Sequence, residues 1–195
     1  MKSLSIIRDE HRALAAVLQG LGYLVEQIRE RGAAPDFAVL SAMIYYIDAF
    51  PERFHHPKED RYLFALLRSR CPAAGGLIDH LQADHVEGAQ KIRALEQWLT
   101  RYREGGATEF PAFAAALDGY VGFELEHIRR EERELLPLAR EHLTADDWSR
   151  VDSAFSGTTD PLLGVAPGEH WERLFRRIAT IAPAPIGVGP PSRPR

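Results

Sequence analysis

FPAFAAALDGYVGFELEHIRREERELLPL, residues 110–138, reads as one rod with a single inward face. Phe113, Leu117, Tyr120, Glu124, His127, Glu131, Leu135 and Leu138 recur at intervals of three and four, the repeat of an amphipathic α-helix. Three successive positions of that face, Glu124, His127 and Glu131, carry ionisable groups where leucine would serve. Burying such groups is costly unless they are paired or bound to a metal.

Working outward, three more segments carry the same repeat. The first runs Leu4, Ile7, His11, Leu14, Leu18, Leu21, Val25, Ile28 and is broken by Gly32 and Pro35. The second begins near Asp36 with Phe37, Leu40, Ile44 and Ile47. It passes through Pro51 and Pro57 to about Arg70, where Cys71-Pro72 and Gly75-Gly76 stop it. The third reads Ile78, Leu81, His85, Gly88, Ile92, Leu95, Leu99, Tyr102 and ends at Gly105-Gly106. The fourth, quoted above, is expected to start at Thr108 as its N-cap. Four long helices with short turns predict an all-α fold, an up-down-up-down four-helix bundle over residues 1–143.

Residues 144–182 form a helical extension in this reading. TADDW, Thr144 to Trp148, has the form of a capping-box start for a short fifth helix. GEHWERLFRRIATI (168–181) puts Trp171, Leu174, Phe175 and Ile178 on one side, and is expected to lie against the bundle or join a second subunit in a homodimer. Residues 183–195 are a proline- and glycine-rich tail.

Composition fits this plan. The chain has 195 residues, 45% hydrophobic and 27% charged, with a net charge of −4. That balance gives no reason to expect nucleic acid or an anionic membrane as partner. No apolar run approaches the roughly 18 residues a membrane span needs. MKSLSIIRDEHRAL turns polar too soon for a secretory signal, and Cys71 is the only cysteine, so a reducing cytoplasm is the expected compartment.

Height along the bundle tests whether the inward polar groups belong together. About 20 residues separate His11 from the end of its helix, and about 19 separate the second helix's start from His55. His55 lies about 15 residues before the end of the second helix and His85 about 11 into the third, a difference that Glu59 brackets. From His85 to its helix end is about 19 residues, and from the fourth helix's start to His127 about 18. In antiparallel rods all four histidines fall at one level. His55 with Glu59, and His127 with Glu131, are also four apart and share a helix face. The other four histidines are set aside. His56 points about 100° away from His55; its four-on partner is Asp60. His80 is off the stripe, with Asp84 as a surface partner; His142 is roughly 22 Å too far along, and His170 is in the extension.

Four imidazoles and two carboxylates at mid-bundle suit a pair of borderline transition metals: two iron ions first, with manganese or zinc as alternatives. If both glutamates bridge, the six residues fill about eight of twelve octahedral positions, and a bridging oxide or hydroxide takes about two more. The remainder is open to a small diatomic molecule or peroxide. The bland alternative is helix-surface hydrogen bonding within the two HxxxE pairs.

The ordered set, His11 in DEHRAL, HHPKE at 55–59, DH at 84–85 and HIRRE at 127–131, resembles the hemerythrin-like, HHE cation-binding family over about residues 5 to 142. The resemblance implies a non-haem di-iron centre with His11, His55, His85 and His127 as nitrogen ligands, and Glu59 and Glu131 as bridging carboxylates. The family's oxygen carriers typically have HxxxH on the third helix and HxxxxD on the fourth. Here only His85 is in register on the third, and the missing fifth histidine weighs toward redox chemistry over transport. The pattern is closer to the family's iron–sulfur cluster repair proteins, which usually carry an N-terminal cysteine-bearing domain not seen here.

Around the site, Glu124 is a candidate to orient a histidine or add a carboxylate. Tyr62 and Tyr120 are candidates to donate a hydrogen bond, or are core aromatics. Gly88 leaves either a cavity or a close helix contact, and Pro57 either kinks the second helix or ends and restarts it. Two functions follow: a module that binds or senses O2, NO or peroxide, and an enzyme that decomposes peroxide or nitric oxide. A purely structural or storage site is the third.

Overall fold

The computed structural model describes residues 1–156, and these residues are helical almost throughout, with no extended strand. GEHWERLFRRIATI and the tail lie outside the described residues. No helix among the described residues is long and apolar enough to cross a membrane.

α1 (Lys2–Arg31) ends at Gly32, whose left-handed φ of 61° only glycine adopts without strain. Asp36 caps α2 (Phe37–Ala49), its carboxylate accepting from Ala38 and Val39 N–H at 3.0 Å each. The second rod then continues through a π-helical turn, Pro51–His55, the short α3 (His56–Lys58), a second π-helical turn, Glu59–Phe64, and α4 (Ala65–Arg70). Pro57 therefore neither breaks nor ends the helix. Pro51 and Pro57 each remove a donor and push away the carbonyl four residues back; widening the turn accommodates both. The third rod is α5 (Gly75–Gly105) and is unbroken. The fourth combines α6 (Phe110–Arg130), a π-helical turn at Glu131–Leu135 ahead of Pro137, and α7 (Leu136–His142). Thr108 does not cap it. Its hydroxyl donates back to the Gly105 carbonyl at 3.0 Å, and Glu109 occupies the cap position.

Thr144 and Asp147 do form a capping box at α8 (Ala145–Ser156): the Asp147 N–H donates to Thr144 Oγ1 at 3.2 Å, and the Thr144 N–H to Asp147 Oδ2 at 3.0 Å. Asp147 also accepts from Arg70, at 2.7 Å from Nε, and Asp152 accepts from the Ser3 N–H at 2.8 Å and hydroxyl at 2.6 Å. These bonds tie α8 to both the first and second rods.

The apolar stripe of α5 is buried as its spacing predicts, from Ile78 to Tyr102. Buried apolar residues separate into two cores. One holds Leu14, Leu18, Ile47, Phe50, Ile92 and Leu117; the other holds Ile7, Leu63, Leu81, Leu135, Val151 and Phe155. On each rod the polar positions lie between them: His11 between Ile7 and Leu14, His85 between Leu81 and Ile92. A belt of buried ionisable groups divides the interior.

Candidate metal centre

The belt contains His11, His55, His56, Glu59, His85, His127 and Glu131, none more than 6% exposed. One ligand atom from each of His11, His55, Glu59 and Glu131 lies within 4.8 Å of the others, and the same holds for His56, Glu59, His85 and His127. All six residues expected from the sequence are brought together, and Glu59 belongs to both groups. His80, His142 and the carboxylate of Glu124 belong to neither.

His56 corrects the sequence reading, which set it aside. Its ring stacks on that of His85, centroids 4.2 Å apart and 8° from parallel, and lies 5.5 Å from that of His127. The 100° turn from His55 is real, but it does not lead outward. A rod in a bundle touches two neighbours, so His55 faces His11 on α1 while His56 faces the third and fourth rods. Its partner is Glu52 at 3.3 Å, not Asp60. A fifth imidazole is thus present, supplied by the second rod rather than the third.

The other imidazoles follow a rule. Each has Nε2 toward the centre and Nδ1 against a carboxylate from a neighbouring rod. Glu10 on the first rod accepts from His55 at 2.6 Å, and Asp60 on the second from His85 at 3.1 Å. Asp84 on the third accepts from His127 at 3.5 Å, and Glu132 on the fourth from His11 at 3.1 Å. The ring of contacts closes. Each carboxylate is the sequence neighbour of a belt residue: Glu10–His11, Glu59–Asp60, Asp84–His85, Glu131–Glu132. That adjacency is the signal by which sequence alone could have found them. Asp84, expected as a surface partner of His80, does lie 3.6 Å from it but is committed to His127 and Arg130 as well.

At the centre the pairing runs out. Both carboxylate oxygens of Glu59, both of Glu131 and Nε2 of His55 are buried without a hydrogen bond of good geometry. The imidazole Nε2 atoms crowd them, His55 at 3.0 Å from Glu59, His11 at 3.2 Å from Glu131, and His85 at 3.2 Å from His127. Two Nε2 atoms in contact cannot both carry protons. Orphaned buried carboxylates are rare in folded proteins and call for an ion or a catalytic role. The donor set, imidazole nitrogen and carboxylate oxygen with no thiolate, fits a borderline divalent metal.

The metal-free electrostatics show the same convergence. Burial drives the Glu59 carboxyl up, with Glu131 beside it adding to the shift. Burial acts on Glu131 too, but His11 overrides it and holds the carboxyl down. His11 is raised to about 9, because Glu131 and Glu132 outweigh its burial. Burial takes His56 down to about 4, and burial with the neighbouring imidazoles holds His85 well below its usual range. The last two are neutral near pH 7, the form in which a metal takes histidine.

Beside the belt, Gly88 provides close contact rather than a cavity. A Cβ there would stand 2.7 Å from Glu124 Oε1 and 3.2 Å from Glu52 Oε1. Burial, then Glu52, raises Glu124 to about 7. The Tyr120 hydroxyl lies 3.5 Å from Glu52 Oε1, supporting the carboxylate that holds His56. Tyr62 lies partly buried in the second core.

Residues 2–139 match the family model described as the hemerythrin HHE cation binding domain. The chain belongs to this family. No curated protein and no solved structure matches it. Cation binding is the family's property, and the two His/Glu groups are where this chain could hold metal.

Proposed function

We propose that this chain holds two metal ions, iron first with manganese or zinc as alternatives, and uses them to bind or sense a small oxygen or nitrogen species: O2, NO or peroxide. His11 and His55 would hold one ion, His56, His85 and His127 the other, and Glu59 and Glu131 would lie between them. The observation that carries this reading is the set of orphaned carboxylate oxygens of Glu59 and Glu131, with the orphaned Nε2 of His55, at the belt's centre. Such a pair of ions supplies an open coordination position and two redox equivalents.

The residues of the chain supply the rest. The carboxylate ring fixes four of the imidazoles with Nε2 inward, Glu52 holds His56, and the two apolar cores above and below exclude water. The ring also supports the up-down-up-down course of a bundle spanning 1–143. The orienting carboxylate precedes a belt residue on the first and third rods and follows one on the second and fourth. One rotational sense requires that alternation when helices run in alternate directions. The fifth imidazole offsets the argument that a missing histidine favours redox turnover, so binding or sensing is preferred.

Metal analysis of freshly purified protein tests this. About two ions per chain are expected, one for each donor group, with an optical spectrum that responds to azide, O2 and NO. Metal-free, fully folded protein with no uptake would refute it. Multiple turnover of peroxide or nitric oxide would assign an enzyme instead, and restoration of a damaged iron–sulfur protein would assign repair.

A further inference from the structure

α8 lies beyond the residues matched to the family, 2–139, yet it forms part of the wall of the metal centre. Phe155, 1% exposed, meets His55 edge-on, with ring centroids 6.2 Å apart and planes at 82°. Lys58 Nζ stands over the same Phe155 ring at 5.3 Å. The helix is held in place by Asp147 and Asp152 and by the buried side chains Trp148 and Val151.

The two halves of the centre are not equivalent. If Glu59 and Glu131 are both shared, the His56–His85–His127 half has three imidazoles and two carboxylates, and the His11–His55 half has two of each. With that sharing, the half with more room for an exogenous ligand would be the half whose His55 meets Phe155.

We propose that Phe155 controls access to the His11–His55 half, setting the size of ligand admitted there and keeping bulk water and chelators from His55. This rests on the metal reading above. The reason is steric: the only ring of α8 placed against a belt imidazole is this one among the described residues. Truncating it removes the cover while Trp148 and Val151 keep the helix docked.

The test uses the full chain with Phe155→Ala, Phe155→Leu and Val151→Ala, the last loosening the same helix without touching His55. In metal-free protein, deuterium exchange at the imidazole C2 positions is followed by mass spectrometry. Phe155→Ala is expected to speed reaction at His55 by about tenfold, Phe155→Leu less, with His85 and the Val151→Ala protein unchanged. In iron-loaded protein, azide association and iron loss to a chelator should both accelerate by about tenfold in Phe155→Ala only. Unchanged His55 reactivity, or an equal rise at His85 or in Val151→Ala, would overturn the proposal. Failure of the unsubstituted chain to take up iron would sink the metal reading instead, leaving the metal-free measurement to decide the cover.

Discussion

His56 lies face to face with His85, ring centroids 4.2 Å apart and 8° from parallel, so two rods each present an imidazole to one half of the belt. Two aligned imidazoles this close would repel if both were protonated, and both are in fact held low, first by burial. Neutral, parallel and inward, they are suited to share one cation.

The first prediction follows from that pair. His56→Ala should lower metal content from about two ions toward about one, or weaken the second ion by about 10–100-fold. His142→Ala, a half-buried histidine outside both groups, should change neither. Elemental analysis and competition with a chromophoric chelator read both outcomes.

Glu10 tests the carboxylate ring. Glu10→Gln keeps the shape but removes the charge that accepts from His55 Nδ1 at 2.6 Å. Affinity should fall by about 10–100-fold with little change in stoichiometry, the behaviour of a group that orients a ligand. Loss of all metal would show instead that Glu10 is itself a donor.

Metal should also stabilise the fold. Glu59 and Glu131 leave four buried oxygens without a hydrogen bond, and taking a carboxylate out of water costs several kcal/mol per ion. At free metal about 1,000 times the dissociation constant, binding contributes about 4 kcal/mol. That corresponds to a rise in Tm of about 8–16 °C for a chain of this size. Differential scanning calorimetry with and without metal measures it; no shift would mean that the folded chain does not bind the ion in preference to the unfolded one.

Acid should release α8. Burial alone would raise Asp152, but its bonds from Ser3 bring it from the usual 3.8 down to about 2. A carboxyl lowered by folding stabilises the folded state above its unfolded value, and that contribution is lost as pH falls through the folded one. Docking should therefore weaken between about pH 3.8 and 2. Pepsin, active in that range, should begin to cut at Phe155 before it cuts within α5. Asp152→Asn should lessen the pH dependence in that range, leaving the part carried by Asp147, whose carboxyl Arg70 holds down.

Among the described residues, sequence by itself determined the four long rods and α8, the buried face of the rods and the six belt residues at one level. An apolar repeat of three and four fixes which side of a helix goes inward, and rise per residue fixes height, so both are local quantities. On α5 every residue of the expected stripe is buried, because nothing interrupts its period. On the second rod the period fails. Pro51 and Pro57 widen the turns, and strict four-residue spacing no longer says which side chains point where. What only the tertiary structure decided is who lies beside whom. His56 is inward because a second neighbour stands where its ring points, and Asp84 is an orienting group because His127 arrives across the helix interface. α8 covers His55 because Ser3 and Arg70 hold it there. Those relationships join residues tens of positions apart, and a periodic pattern read along one helix carries no information about the rotation of the next.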